Sequence, residues 1–283
     1  MTTAADILKQ IQEKDIKFVD LRFTDPRGKM QHVTMDVALV DEDMFAEGVA
    51  FDGSSIAGWK AINESDMMLI LDPESAHIDP FFAQSTMAIF CDIIDPITGE
   101  AYNRDPRMTA KKAEAYVKSG GFGDTIYVGP EAEFFMFDDV RFNADPYNTG
   151  FILDSSELPS NMGSEYETGN MGHRPRTKGG YFPVPPVDSA QDIRSEMLSV
   201  MGEMGVPTEK HHHEVGAAQH ELSMLFNTLT RKADEVQLYK YVVHNVAHAY
   251  GKSATFMPKP VMGDNGSGMH VNMSIWKDGN PLF

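Results

Sequence analysis

The sequence predicts an α+β chain in two parts: a small sheet with one or two helices over residues 1–104, and a second sheet-and-helix domain over residues 105–283. Three observations carry this. Short runs such as Phe18-Val19-Asp20-Leu21-Arg22-Phe23 alternate apolar and polar residues, the period of a half-buried strand. Asp105-Pro106 is an N-cap followed by proline at the first helical position, and Gly120-Gly121 closes the helix so begun. Beyond it Thr125–Phe137 reads as a long strand that opens a second set of strand runs.

The elements follow in order. Thr2 or Thr3 caps a short helix with Ile7, Leu8 and Ile11 on one face. Residues 18–23 and 30–35 form a hairpin around the turn Asp25-Pro26-Arg27-Gly28. Residues 41–47 supply a helical turn or two, and Phe51–Glu64 a Gly/Ser-rich loop that exposes Trp59. Strands at 67–71 and 86–93 complete the first part. In the second, a loop-rich stretch runs from Asn143 to Val187, long enough to suggest function or disorder. Helices are expected at 189–204 and 232–250, and strands at 208–215, 221–226 and 268–276. The last strand runs into the hairpin turn Asp278-Gly279, whose partner strand is expected and missing.

Acidic residues outnumber basic ones, 42 to 24, for a net charge of −18. That balance repels nucleic acid and anionic membrane, so neither is expected as a partner, and it leaves carboxylates for bound cations to balance. No apolar run reaches the ~20 residues that span a bilayer. The first 21 residues mix charges into their apolar positions, unlike a signal peptide. The single cysteine, Cys91, excludes an internal disulfide and suits a reducing, cytoplasmic setting.

Three segments carry chemistry. Glu131 and Glu133, two apart on a strand, face the same way among aromatic neighbours. Two parallel carboxylates repel and resist desolvation, and a cation is the simplest counter-charge; an edge strand with a solvated acidic face is the alternative. The segment His211-His212-His213-Glu214-Val215-Gly216-Ala217-Ala218-Gln219-His220-Glu221 combines imidazole and carboxylate, a donor set suited to Mg²⁺ or Mn²⁺ and unlike the zinc spacings. Glu214 and Glu221, seven apart, share no face of one continuous strand, but Gly216-Ala217-Ala218 permits a bend that would bring both to one point. Gly263-Asp264-Asn265-Gly266-Ser267-Gly268 then leads into a strand with His270, Asn272 and Ser274 on one face. P-loop, Rossmann and nucleophile-elbow motifs are absent, so a nucleotide would be held through metals and basic side chains.

Six segments in order together resemble type I, bacterial-type glutamine synthetase: 51–59, 63–66, Gly129-Pro130-Glu131-Ala132-Glu133-Phe134, 179–182, 211–215 and 265–270. The resemblance implies a β-grasp-like N-terminal domain and a catalytic domain with a curved antiparallel sheet. It implies glutamate–ammonia ligation through a γ-glutamyl phosphate, with ATP as co-substrate and two divalent ions, Mg²⁺ or Mn²⁺. By position, Glu133, Glu214 and Glu221 would hold one ion, and Glu131 and His270 the second. Asn265, Gly266 and Glu131 would bind L-glutamate. Glu209, Phe226, Asn272 and Ser274 would serve the nucleotide. Asp52, Ser55, Tyr181 and Glu214 would form the ammonium pocket. The loop with Asp52 and Trp59 would serve a neighbouring subunit's site, nucleotide included, in a homo-oligomeric ring. Asn272 stands where many members carry His, and the Glu214–Glu221 interval is one residue shorter than in many. The family's later segment, with a further metal-binding Glu and the Arg and Lys residues that grip glutamate and phosphate, is absent, so the chain reads as the amino-terminal two-thirds. A non-catalytic fragment that binds metal or assembles, and a ligase of glutamate to another amine or polyamine, are the alternatives.

Overall fold

The computed structural model describes residues 2–161 and 170–283. It divides into two compact units: Met1–Tyr127 with Asn227–Gln237 and Ser274–Phe283, and Val128–Phe226 with Leu238–Met273.

Helix α1 (Ala4–Glu13) starts on a capping box in which Thr3 and Asp6 each accept from the other's backbone, and it buries Ile7 and Ile11. Strands β1 (Phe18–Thr24) and β2 (Met30–Asp36) form the expected hairpin, with Gly28 at φ +80° in its turn. Asp41 caps α2 (Glu42–Glu47). Strands β3 (Val49–Asp52), β4 (Asp66–Leu71), β5 (His77–Asp79) and β6 (Thr86–Ile94) complete a sheet of order β2-β1-β6-β4-β3, with β5 on β6. Its core joins α1 to Val19, Leu21, Leu69 and Ile89. Cys91 is buried there as a free thiol, and burial pushes its pKa up.

Two expectations for this unit are corrected. Phe51–Glu64 is not one loop: Phe51 and Asp52 belong to β3, and 3₁₀ turns occupy Gly53–Ser55 and Ile62–Glu64. Trp59 is not exposed; it is 5% accessible and packs against Phe23, Phe51 and Tyr102. A large ring gains more by entering this aromatic cluster than by standing in water.

Helix α3 (Pro106–Ser119) has the expected bounds, with the Asp105 carboxylate on the Arg107 N–H and Gly121 at φ +71° after its end. The chain continues as β7 (Thr125–Phe137), β8 (Asp139–Asp145), β9 (Asn148–Asp154), α4 (Gln191–Glu203), β10 (Thr208–His213), β11 (Gln219–Met224), β12 (Asn227–Thr228), α5 (Leu229–Ala249), β13 (Ser253–Thr255), β14 (Met269–Lys277) and β15 (Asn280–Pro281). The second sheet has order β10-β11-β7-β14-β15, with β12 and β13 also on β7. In the second unit Phe135, Phe137, Leu158, Ala217 and Ala218 form one apolar cluster, while the buried Tyr239 hydroxyl donates to the Ala132 carbonyl at 2.6 Å.

The stretch 143–187 is only partly irregular. An antiparallel hairpin, β8–β9, takes up residues 139–154, and residues 162–169 lie outside the described ones. The hairpin escaped the sequence reading because it is exposed on both faces, Phe142 and Phe151 included, so no apolar–polar period marks it. At the other end, the expected partner strand is present in two residues: Asn280 and Pro281 pair with Lys277 and Trp276 across Asp278 and Gly279, both at positive φ.

Candidate metal centre

Strand β7 is central, flanked by β11 and β14, so the edge-strand alternative falls. Its residues alternate strictly: Glu131 and Glu133 turn to the half-buried face, while Ala132 and Phe134 are buried on the other. Across the ladder Glu133 lies directly opposite Glu221, and Glu221 directly opposite His212. Three adjacent strands therefore set His212, Glu221 and Glu133 in one row. Facing residues on neighbouring strands come within about 5.5 Å at the backbone, close enough for side chains to share one ion.

The bend after β10 adds Glu214. His212, Glu214 and Glu221 each offer a donor atom within 4.8 Å of the others'. The His212 ring lies 3.5 Å (Nδ1) from Glu214 and 3.7 Å (Nε2) from Glu221. His212 was not singled out from the sequence; three consecutive histidines gave no means of choosing, and the register with Glu221 does. The Gln219 amide donates to Glu133 Oε2 at 2.7 Å, and the Gly268 N–H donates to the same oxygen at 3.1 Å. Beside Glu133, Glu131 accepts from the Asn272 amide at 3.1 Å and lies 3.5 Å from His270 Nδ1.

Electrostatics mark the row as cation-seeking. Burial, then the charges of Glu214, Glu131 and Glu133, push the Glu221 carboxyl up to about 7. Burial and Glu214 also raise Glu133. Carboxylates gathered on one sheet face with no buried cationic side chain among them fit a hard divalent cation through oxygen donors and one imidazole.

A second grouping, Glu157, His213 and His220, is of another kind. His213 Nδ1 donates to the Glu214 carbonyl at 2.7 Å and Nε2 to Glu157 at 2.8 Å. Both partners only accept, so the ring is an imidazolium; burial opposes that charge, and Glu157 outweighs it and raises the pKa. The guanidinium of fully buried Arg194 donates to His220 Nδ1 at 3.0 Å and to Asp188. Its cations are already built in.

The remaining candidates distribute as follows. Gly180 has no room for a side chain: a Cβ would stand 2.6 Å from the Glu214 carbonyl. That close approach seats Tyr181 edge-on to His212, ring centres 5.9 Å apart. Gly266 is tight too, with a Cβ position 2.5 Å from the Pro258 carbonyl, and its own carbonyl accepts from Gln219. Asn265 follows in the same loop, its N–H on Asp264. Glu209 is exposed on β10, and Phe226 is exposed with its Cβ beside Gly129. In the other unit, the Asp52 carboxylate accepts from Ser54 and from the Ser55 hydroxyl, which holds it below the usual carboxylate range. Ser274 accepts from the Trp276 indole at 2.9 Å.

The family model described as "Glutamine synthetase, catalytic domain" matches residues 103–283, and "Glutamine synthetase, beta-Grasp domain" matches residues 15–96. The chain belongs to the glutamine synthetase family. It is 76% identical over 283 residues to a glutamine synthetase of Rhizobium meliloti (strain 1021), and 72% identical to one of Bradyrhizobium diazoefficiens. In both cases all of this chain is covered and 60% of the relative, so the chain spans about 60% of those relatives' length. Among solved structures, a Plasmodium falciparum glutamine synthetase superimposes with a TM-score of 0.93 at 28% identity, over 100% of this chain and 56% of that one. The six-stranded sheet thus belongs to the family's β-grasp domain, and the sheet with the carboxylate row to its catalytic domain. Among the described residues no helix is long and apolar enough to cross a membrane.

Proposed function

We propose that this chain carries the cation-binding half of a glutamate–ammonia ligase that forms glutamine with ATP. The row His212–Glu221–Glu133, with Glu214 beside it and Glu131 and His270 adjoining, carries the reading. Glu133, Glu214 and Glu221, joined by His212, would hold one Mg²⁺ or Mn²⁺, and Glu131 and His270 a second. When bound, such ions neutralise phosphate charge and polarise oxygen. The chain's own groups do the rest: Asn265 and Gly266 orient glutamate, Glu209, Phe226, Asn272 and Ser274 seat the nucleotide, and Tyr181 and Glu214, joined by Asp52 and Ser55 from a neighbouring copy of the chain, receive ammonium and take its proton. Attack on the γ-glutamyl phosphate then displaces phosphate. Trp59, buried against Phe51, anchors the strand end that bears Asp52. The same proposal places the domain boundary near residue 104, just past the gap between the stretches matched at 15–96 and 103–283, and the protein in the cytoplasm as a homo-oligomeric ring. The test is phosphate release by the full-length natural protein that requires ATP, glutamate and ammonium together. Equal or faster turnover with a polyamine in place of ammonium would redirect the reading to an amine ligase.

Cation affinity should depend on pH. With Glu221 near 7, a proton competes with the ion below that pH, so Mn²⁺ should bind about tenfold more tightly at pH 8 than at pH 6 and release a proton on binding. Without the ion the sign for stability is opposite. The folded pKa lies above the ordinary 4.5, so this group's contribution to stability is lost as pH rises from about 4.5 to 7. Calorimetric titration in two buffers of different ionisation enthalpy checks this, and pH-independent affinity would contradict it.

Asp52→Ala in the full-length enzyme should raise the ammonium requirement about tenfold or more, the worth of a charge-assisted contact, while nucleotide affinity changes little. Mixed assemblies of Asp52→Ala and Glu133→Ala subunits should regain activity, since some interfaces pair an intact loop with an intact row. If Asp52 only braces its own turn through Ser54 and Ser55, the variant loses thermal stability and mixing restores nothing.

A further inference from the structure

The bend between Glu214 and Glu221 has every N–H engaged. Gly216 donates to the Gln219 side chain at 2.9 Å, Ala217 to Asp264 Oδ2 at 3.0 Å, Ala218 to Glu157 Oε2 at 3.1 Å, and Gln219 to the Gly216 carbonyl at 3.2 Å. Ala218 sits at φ +62°, where an L-residue stays only if its surroundings hold it. Two buried carboxylates thus grip two successive amides from opposite parts of the sequence.

Glu157 is saturated, and Asp264 accepts three N–H groups. Glu157 Oε2 takes the Ala218 N–H and His213 Nε2, and Oε1 takes the N–H and hydroxyl of Ser189. Asp264 Oδ1 takes the N–H groups of Lys178 and Asn265. A buried carboxylate held by three or four donors cannot shift without leaving a charge or a donor unpaired. Gln219, the last residue of the bend, carries its amide to Glu133 and to the Gly266 carbonyl. Movement of the bend would therefore displace Glu214, Glu221 and the support of Glu133 together.

We propose that Glu157 and Asp264 are positioning residues: they clamp the Ala217 and Ala218 amides and so set the span between Glu214 and Glu221 at the cation site. The inference rests on the metal reading of the carboxylate row. Asp264 also ties that span to the loop bearing Asn265 and Gly266 and, through Lys178, to the segment leading to Tyr181, so the spacing of the donors and the placement of the substrate loops share one anchor.

The test measures Mn²⁺ affinity and kcat of the full-length natural protein, with folding checked by near-UV circular dichroism. Glu157→Gln and Asp264→Asn keep the shape but offer N–H donors where acceptors are needed. Each should raise the Mn²⁺ dissociation constant about 10–100-fold, the usual effect of losing a group that orients metal ligands. Ser189→Ala loosens Glu157 on the side away from the bend and should change affinity by less than about twofold. Folded Glu157→Gln with near-parental affinity overturns the proposal, as does a Ser189→Ala defect of equal size. Should Glu157→Gln not fold, Asp264→Asn decides on the same thresholds. Failure of the unaltered protein to bind Mn²⁺ instead sinks the metal reading itself.

Discussion

Glu133→Ala in the full-length protein is expected to cut ATP-dependent glutamine formation by at least ~10²–10³-fold, the typical loss when one pre-positioned electrostatic group is removed from a reaction centre. Glu133 lies opposite Glu221 in the row, on the central strand, and its Oε2 holds the Gln219 amide and the Gly268 N–H. Truncation removes a proposed ligand and frees both donors. Yet without cation the variant should be no less stable than its parent above pH 7. Burial and Glu214 already disfavour the Glu133 charge, so removing it relieves repulsion. Loss of activity without loss of stability separates a ligand from a structural carboxylate. Activity within tenfold of the parent would remove Glu133 from the centre.

Arg107→Met is expected to have the largest effect on stability. Arg107 is 7% exposed and binds Asp234 through Nε and a terminal nitrogen at 3.0 Å, with Asp92 and Asp72 on its other faces. These residues sit on α3, β6, the end of β4 and α5, so one guanidinium joins four elements of its unit. Removing one partner of a buried ion pair costs about 3–5 kcal/mol, because the charge left behind stays in a poor solvent. Asp234 is the most exposed to that fate, since burial already raises its pKa and Arg107 is the main group opposing the rise, with a smaller contribution from Arg231. Denaturant midpoints at neutral pH measure the loss, which should shrink at low pH as the stranded aspartates protonate. A change under about 1 kcal/mol would show that Lys111 and water replace the guanidinium.

Features written in one stretch of chain were legible. The proline-started helix over 106–119 and the two carboxylates on one strand face depend only on local spacing, and the structure shows both. Gly216, Ala217 and Ala218 between two polar runs permitted the bend that returns Glu221 towards Glu214. What could not be read depends on the partner across space. Which of His211, His212 and His213 meets the carboxylates is decided by register with Glu221. Trp59 looked exposed because its own segment is polar, and Phe23 and Tyr102, distant in sequence, bury it. Glu157 and Asp264 carry no local mark at all; each is an acidic residue in a loop until its amide partners are known.

Glu221 and Glu133 stand on strands bonded on both sides, the portion of a sheet that opens last. These two carboxylates inherit that permanence. Release of the proposed ion would then be a side-chain event and not a local melting, and the receptacle would keep its shape between occupants. The next cation would meet a cup already formed, with little of its binding free energy spent on ordering the chain.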